Sequence, residues 1–95
     1  MAHAFFFDVP GDAEMYRRVK EAIGQDEAKG QIVQLVTATD TGLRHLGVWE
    51  SKEDWERYRD ERVRPAVERV LSAAGLTPGA HPEEHPLELV DVMPA

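Results

Sequence analysis

The chain has 95 residues, enough for one hydrophobic core but not for a cofactor domain beside a separate substrate domain. Its 18 Asp and Glu against 11 Lys and Arg give a formal charge of -7, which disfavours a polyanion, and no basic cluster offsets it, so nucleic acid is not an expected partner. The absence of cysteine excludes thiolate catalysis, disulfides and cysteine-ligated metal. No apolar run approaches the roughly 18 residues of a membrane span, so residues 1–95 read as a single cytoplasmic domain without a membrane partner.

His3 to Val9 is aromatic and extended, and it stops at Pro10-Gly11, a pair that ends a ladder and turns the chain. A first strand is expected there. Asp12 can cap the helix that follows, with Met15, Tyr16, Val19, Ala22 and Ile23 recurring on one face and Gly24 as its left-handed exit. Gln25 to Lys29 is a polar linker. Ile32 to Ala38 is rich in β-branched and aliphatic residues, and Asp40-Thr41-Gly42 turns it into Leu43 to Trp49, so strands two and three form a hairpin.

Ser51 with Asp54 resembles a capping box that has Asp in place of Glu or Gln, which starts the second helix just after Glu50. Trp55, Tyr58, Val63, Ala66, Val67, Val70 and Leu71 mark an interrupted apolar stripe ending near Gly75. Pro65 lies inside it and predicts either a kink or a short break, because it lacks a donor and clashes with the carbonyl four residues back. Thr77 to Pro86 reads as a Pro- and His-bearing loop, and Leu87 to Met93 alternates as a last strand.

The β-α-β-β-α-β order is that of the ferredoxin-like split unit, an α+β fold with helices on one side of an antiparallel sheet. Alternation places His3, Phe5, Phe7 and Val9 on one face of strand one and Ala4, Phe6 and Asp8 on the other. In strand two, Ile32, Gln34, Val36 and Ala38 oppose Val33, Leu35 and Thr37. Both faces carry apolar side chains. The face without helices would be an association-prone patch, so a homodimer with sheets face to face is expected.

The polar chemistry is sparse. His45 shares the alternating set Leu43, His45, Gly47 and Trp49, in which the missing side chain of Gly47 would leave volume for a small molecule against an aromatic wall. Gln34 on the paired strand would add an orienting hydrogen bond. Tyr16, Trp55 and Tyr58 can reach the region from the helices. The plainer alternative is that His45 is a structural or interface histidine and that the aromatics are core.

His81 and His85 in His-Pro-Glu-Glu-His-Pro resemble metal donors, but two prolines and the lack of a third ligand favour a solvated loop, and no metal site is expected. On the second helix, Glu53 with Arg57 and Asp60 with Arg64 suit i,i+4 ion pairs on a wet face. One of Arg44, Arg59, Arg62 and Arg64 could meet an anionic group. Ser51 is a cap rather than a nucleophile, and the glycines form neither a phosphate loop nor a dinucleotide fingerprint, so no nucleotide cofactor is expected.

Asp40-Thr41-Gly42-Leu43, Val48-Trp49-Glu50-Ser51 and Arg64-Pro65-Ala66 together resemble the dimeric α+β barrel superfamily, in particular small proteins related to antibiotic-biosynthesis monooxygenases. The resemblance spans nearly the whole chain. It implies a cavity between sheet and helices used for cofactor-free oxygenation, aromatic cyclisation or ligand binding, with haem in some members. Gln34 stands where related small proteins often carry His, and the chain contains no Asn, which the better-known anthrone oxygenases use beside a Trp. On this reading an aromatic or polyketide-like substrate lies against Trp49, Trp55, Tyr16 and Phe5. His45 moves a proton, Gln34 orients an oxygen and Tyr58 stabilises an enolate or phenolate. Monooxygenase, cyclase and non-catalytic binding protein remain the alternatives.

Overall fold

The computed structural model describes residues 2–24, 28–77 and 79–93. Four strands, β1 (His3–Val9), β2 (Gln31–Thr39), β3 (Gly42–Trp49) and β4 (His85–Leu87), form one antiparallel sheet in the order β2-β3-β1-β4. With α1 (Ala13–Ile23) between β1 and β2, and α2 (Lys52–Tyr58) running on to α3 (Arg64–Ala73) between β3 and β4, this is the strand order of the ferredoxin-like split unit. Of the expected linker at Gln25 to Lys29, residues 25–27 lie outside the described residues, as does Pro78 of the Thr77 to Pro86 loop.

Local chemistry sets most boundaries. Asp12 accepts the amide hydrogen bond of Met15 at 2.9 Å and opens α1, and Gly24 closes it at φ +90°, a conformation that side chains rarely adopt. The five residues expected on the inner face of α1 (Met15, Tyr16, Val19, Ala22 and Ile23) are all half-buried, and none is fully buried. Ser51 accepts from the amide of Asp54 at 3.1 Å and starts α2. In the β2–β3 hairpin Thr39 pairs with Gly42 across Asp40 and Thr41. Gly42 is needed there because any Cβ would drive into the carbonyl oxygen of Val9 on β1.

Two expectations are corrected. No break occurs at Pro65. Arg59–Val63 form a π-helical turn, in which the amide of Arg64 reaches back five residues to the carbonyl of Arg59, and helix continues through Pro65 into α3. The wider turn absorbs the missing donor and ring of proline, which a regular α-turn would set against the carbonyl of Glu61. It also accounts for the interruption in the apolar stripe. The five-residue step from Tyr58 to Val63 is too long for an α-helical face but fits a turn with one extra residue, and Trp55, Ala66 and Val70 are buried on either side of it.

The last strand is also displaced. Pairing with β1 involves His85, Pro86 and Leu87 rather than Leu87 to Met93. Just before it, the Glu84 carboxylate accepts from the Trp55 indole N–H (3.0 Å) and from Arg59 (3.0 Å), which fixes where the chain meets the sheet. An edge strand tolerates Pro86 because its outward side needs no donor. Residues 88–93 follow outside any strand formed by the described residues.

Register assigns the faces. Phe5 lies opposite Gly47, Phe7 opposite His45, His3 opposite Trp49, and Gln34 opposite Gly47 from the other side. A bulge between Gln31 and Val33 re-sets β2, so Ile32 leaves the alternation and is exposed. The ring contacts that helices make with the sheet all fall on the His3-Phe5-Phe7 face. Phe5, Phe7, Trp49 and Trp55 make the core there, with Phe5 and Trp49 fully sealed and the Phe5 and Trp55 centroids 4.5 Å apart.

Candidate functional site

The helix-covered face has two ends with different closure. At one end α2, started by Ser51, lays Trp55 on Phe5 and Trp49, and Gly47 beneath admits the Phe5 ring. A Cβ at Gly47 would come within 2.7 Å of Phe5 Cζ and 2.9 Å of Gln34 Oε1. The volume expected to be vacant beside Gly47 is therefore filled by Phe5 and Gln34. Phe5 and Trp49 have no exposed surface and Trp55 has 2%. All three, expected as substrate contacts, are core.

At the other end α1 supplies Tyr16 over β3. The His45 imidazole stacks on its cross-strand neighbour Phe7 (centroids 4.8 Å apart, planes 7° apart) and meets the Tyr16 ring edge-on at 5.7 Å. It is half-buried, and its cross-strand partner on β2 is Val36. Burial alone lowers its pKa below the ordinary 6.5, so the neutral form, with one acceptor nitrogen, prevails at neutral pH.

Gln34 and Tyr58 join this end to the core. The Trp49 indole N–H donates to Gln34 Oε1 at 3.4 Å, so the amide is oriented toward Trp49 rather than toward His45. Tyr58 packs on Trp49 at 5.1 Å, and burial, the larger effect, together with the proximity of Tyr16 outweighs nearby Arg62 to hold its hydroxyl above its ordinary pKa. A phenol so shifted stays protonated and remains a hydrogen-bond donor.

Within the π-helical turn, Arg62 is the arginine that reaches α1. Arg62 donates to the carbonyl of Ile23, the last residue of α1, at 2.7 Å, and its guanidinium lies 5.7 Å from the Tyr58 ring centroid. It thus ties the turn to the C-terminus of α1, where a cation suits the exposed carbonyls. Arg59 and Arg64 belong to an outer network with Glu56, Asp60 and Glu84, and Arg44 pairs with Asp8 on the opposite sheet face. The expected Asp60–Arg64 pair forms at 2.9 Å, whereas Arg57 turns to Asp54 instead of Glu53.

His45, Tyr16 and Phe7 are thus brought together, and Gln34, Trp49 and Tyr58 form an adjoining group on the same face. Phe7 and Arg62 were not singled out from sequence. Alternation already placed Phe7 on the Phe5 face, but only the β1–β3 register sets it under His45. No group of three or more His, Asp or Glu suited to a metal occurs among the described residues. No protein-family model matches the chain, and no curated protein is similar to it.

Proposed function

We propose that this chain is a cofactor-independent enzyme acting on a phenolic or polyketide-like small molecule, working as a homodimer of the dimeric α+β barrel type. The observation that carries the reading is His45, a half-buried imidazole kept neutral by burial and flanked by the Phe7 and Tyr16 rings. A planar apolar substrate suits such a border, and a neutral imidazole suits proton abstraction near neutrality. Tyr58, held protonated, can donate to the oxygen on which charge develops.

His45 takes the proton of the substrate hydroxyl or its activated C–H, leaving a phenolate or enolate. Its ring carbon then bonds to dioxygen, which is reduced to the peroxide level as the carbon is oxidised. His45 returns the proton to give a hydroperoxide, and loss of water, with the O–O bond and the remaining C–H bond broken, leaves a carbonyl. If the same carbanion attacks an internal carbonyl instead, a ring closes and water leaves without oxygen uptake. Monooxygenation is placed first and cyclisation second, since both share the proton abstraction. Oxygen consumption with an anthrone as probe separates them. His45→Ala should lower turnover by about 10²–10⁴-fold with fold and mass unchanged, and undiminished turnover would remove His45 from the mechanism.

A second reading has its own support. Gln34 is committed to Trp49, and no described group orients the His45 tautomer, an arrangement that suits a non-catalytic small-molecule binding protein. Saturable anthrone binding without product would favour it. The homodimer rests on the opposite sheet face, where Ala4, Val33, Leu35, Leu46, Val48 and Leu87 border a hollow of about 200 Å³ and Leu35 is 54% exposed.

A further inference from the structure

The half-open end has three walls, and one side chain spans two of them. The sheet gives His45, α1 gives Tyr16, and α2 ends in Tyr58, close enough to Tyr16 for each phenol to oppose ionisation of the other. Helix α1 has no fully buried residue, so apolar burial holds it less firmly than it holds α2, whose Trp55 is 2% exposed. Asp12 fixes its first turn. The last carbonyls of a helix have no partner within it, and here the carbonyl of Ile23 receives Arg62 Nη2 at 2.7 Å.

The π-helical turn aims that side chain. Across Arg59–Val63 both Arg62 and Val63 are half-buried while Asp60 and Glu61 are exposed, so the wider turn gives its inner side two consecutive residues, one a long cation and one apolar. The same guanidinium lies 5.7 Å from the Tyr58 ring centroid. One rigid planar group thus meets both the end of α1 and the ring on α2. We propose that Arg62 is a positioning residue of the site: by holding α1 against the π-helical turn it sets Tyr16 over His45 and fixes the gap between Tyr16 and Tyr58 that the substrate enters. This rests on the enzyme reading above and adds to it a residue that acts through others.

The plainer role for such an arginine is a helix C-terminal cap, whose loss would lower stability and leave the folded site as it was. Two substitutions in the full chain separate the roles. Arg62→Met keeps the apolar stem and removes the donor, and Arg62→Lys restores a donor and the charge at similar reach.

In folded Arg62→Met the nuclear Overhauser contact between the Tyr16 and His45 rings should be lost while the Phe5–Trp55 contact at the sealed end persists, and kcat with anthrone should fall about 10–100-fold. Arg62→Lys should regain most of both. Unchanged kcat in folded Arg62→Met, with or without the ring contact, would leave Arg62 a cap and overturn the proposal. A fall in kcat with the ring contact intact would overturn it too, since Arg62 would then act on the substrate directly. If the natural sequence turns over no anthrone, the enzyme reading fails by itself and the ring contact decides: lost in Arg62→Met and regained in Arg62→Lys supports positioning, and kept in Arg62→Met overturns it. Should Arg62→Met not fold, Arg62→Gln, too short to reach Ile23, takes its place, and failure of both to fold would make Arg62 a folding residue and likewise overturn the proposal.

Discussion

The two ends of the helix-covered face are built from the same strands with the same alternation, yet one is sealed and the other half-open. Phe5 and Trp49 are buried because α2 sets Trp55 onto them, and Gly47 removes the one side chain that would hold the rings apart. Phe7 and His45 occupy the next positions along, but above them α1 contributes residues that are at most half-buried. Aromatic content alone therefore does not separate core from site on this sheet. The distinction comes from which helix closes over each position.

Breaking the sealed end should give the largest effect. Trp55→Ala removes the buried ring that touches Phe5, Phe7 and Trp49 as well as the indole donor to Glu84. A loss of about 3–5 kcal/mol is expected from chemical denaturation. Gly47→Ala should be next, at about 1–3 kcal/mol, because the added methyl meets the end of the buried Phe5 ring rather than open space. If Gly47→Ala were neutral, the volume beside it would be vacant after all. Asp12→Ala, which leaves the amide of Met15 without its partner, should destabilise by about 1 kcal/mol.

The half-open end should respond to pH rather than to packing. Burial lowers the pKa of His45, so the folded chain binds fewer protons than the unfolded chain between the folded value and the ordinary 6.5. Stability from this residue is then fully present above 6.5 and falls as the pH drops through that interval, below which the loss is constant. His3 is lowered in the same direction, chiefly by burial, so His45→Gln should flatten the acid side of the stability profile only in part. An unchanged profile would place His45 in water. Turnover that depends on neutral His45 should reach its plateau through a pKa below 6.5.

Much of this arrangement was legible in the residues. The caps at Asp12 and Ser51, the hairpin at Asp40-Thr41 and the two-face alternation are local properties, and they led to the sheet order. The π-helical turn was half-legible. The step from Tyr58 to Val63 beside Pro65 signalled an irregularity, but proline chemistry alone allows several ways to accommodate it. The displacement of β4 was not legible, because Glu84 is held by Trp55 and Arg59, residues 29 and 25 positions away. His45 stood out by its alternation with Gly47 and Trp49. Its true neighbours, Phe7 and Tyr16, depend on the β1–β3 register and on the placement of α1. For the same reason Phe5, Trp49 and Trp55 looked like ligand contacts: a sequence shows that a ring faces the helices, not whether another ring covers it.

Chemical-shift mapping with 1-naphthol, a small planar phenol, tests that distinction most directly. Saturable shifts are predicted at the His45 imidazole and at the Tyr16 and Tyr58 rings, with the Trp49 and Trp55 indoles far less affected. Shifts led by the two indoles, or none at His45 at any concentration, would contradict the assignment of this end as the site.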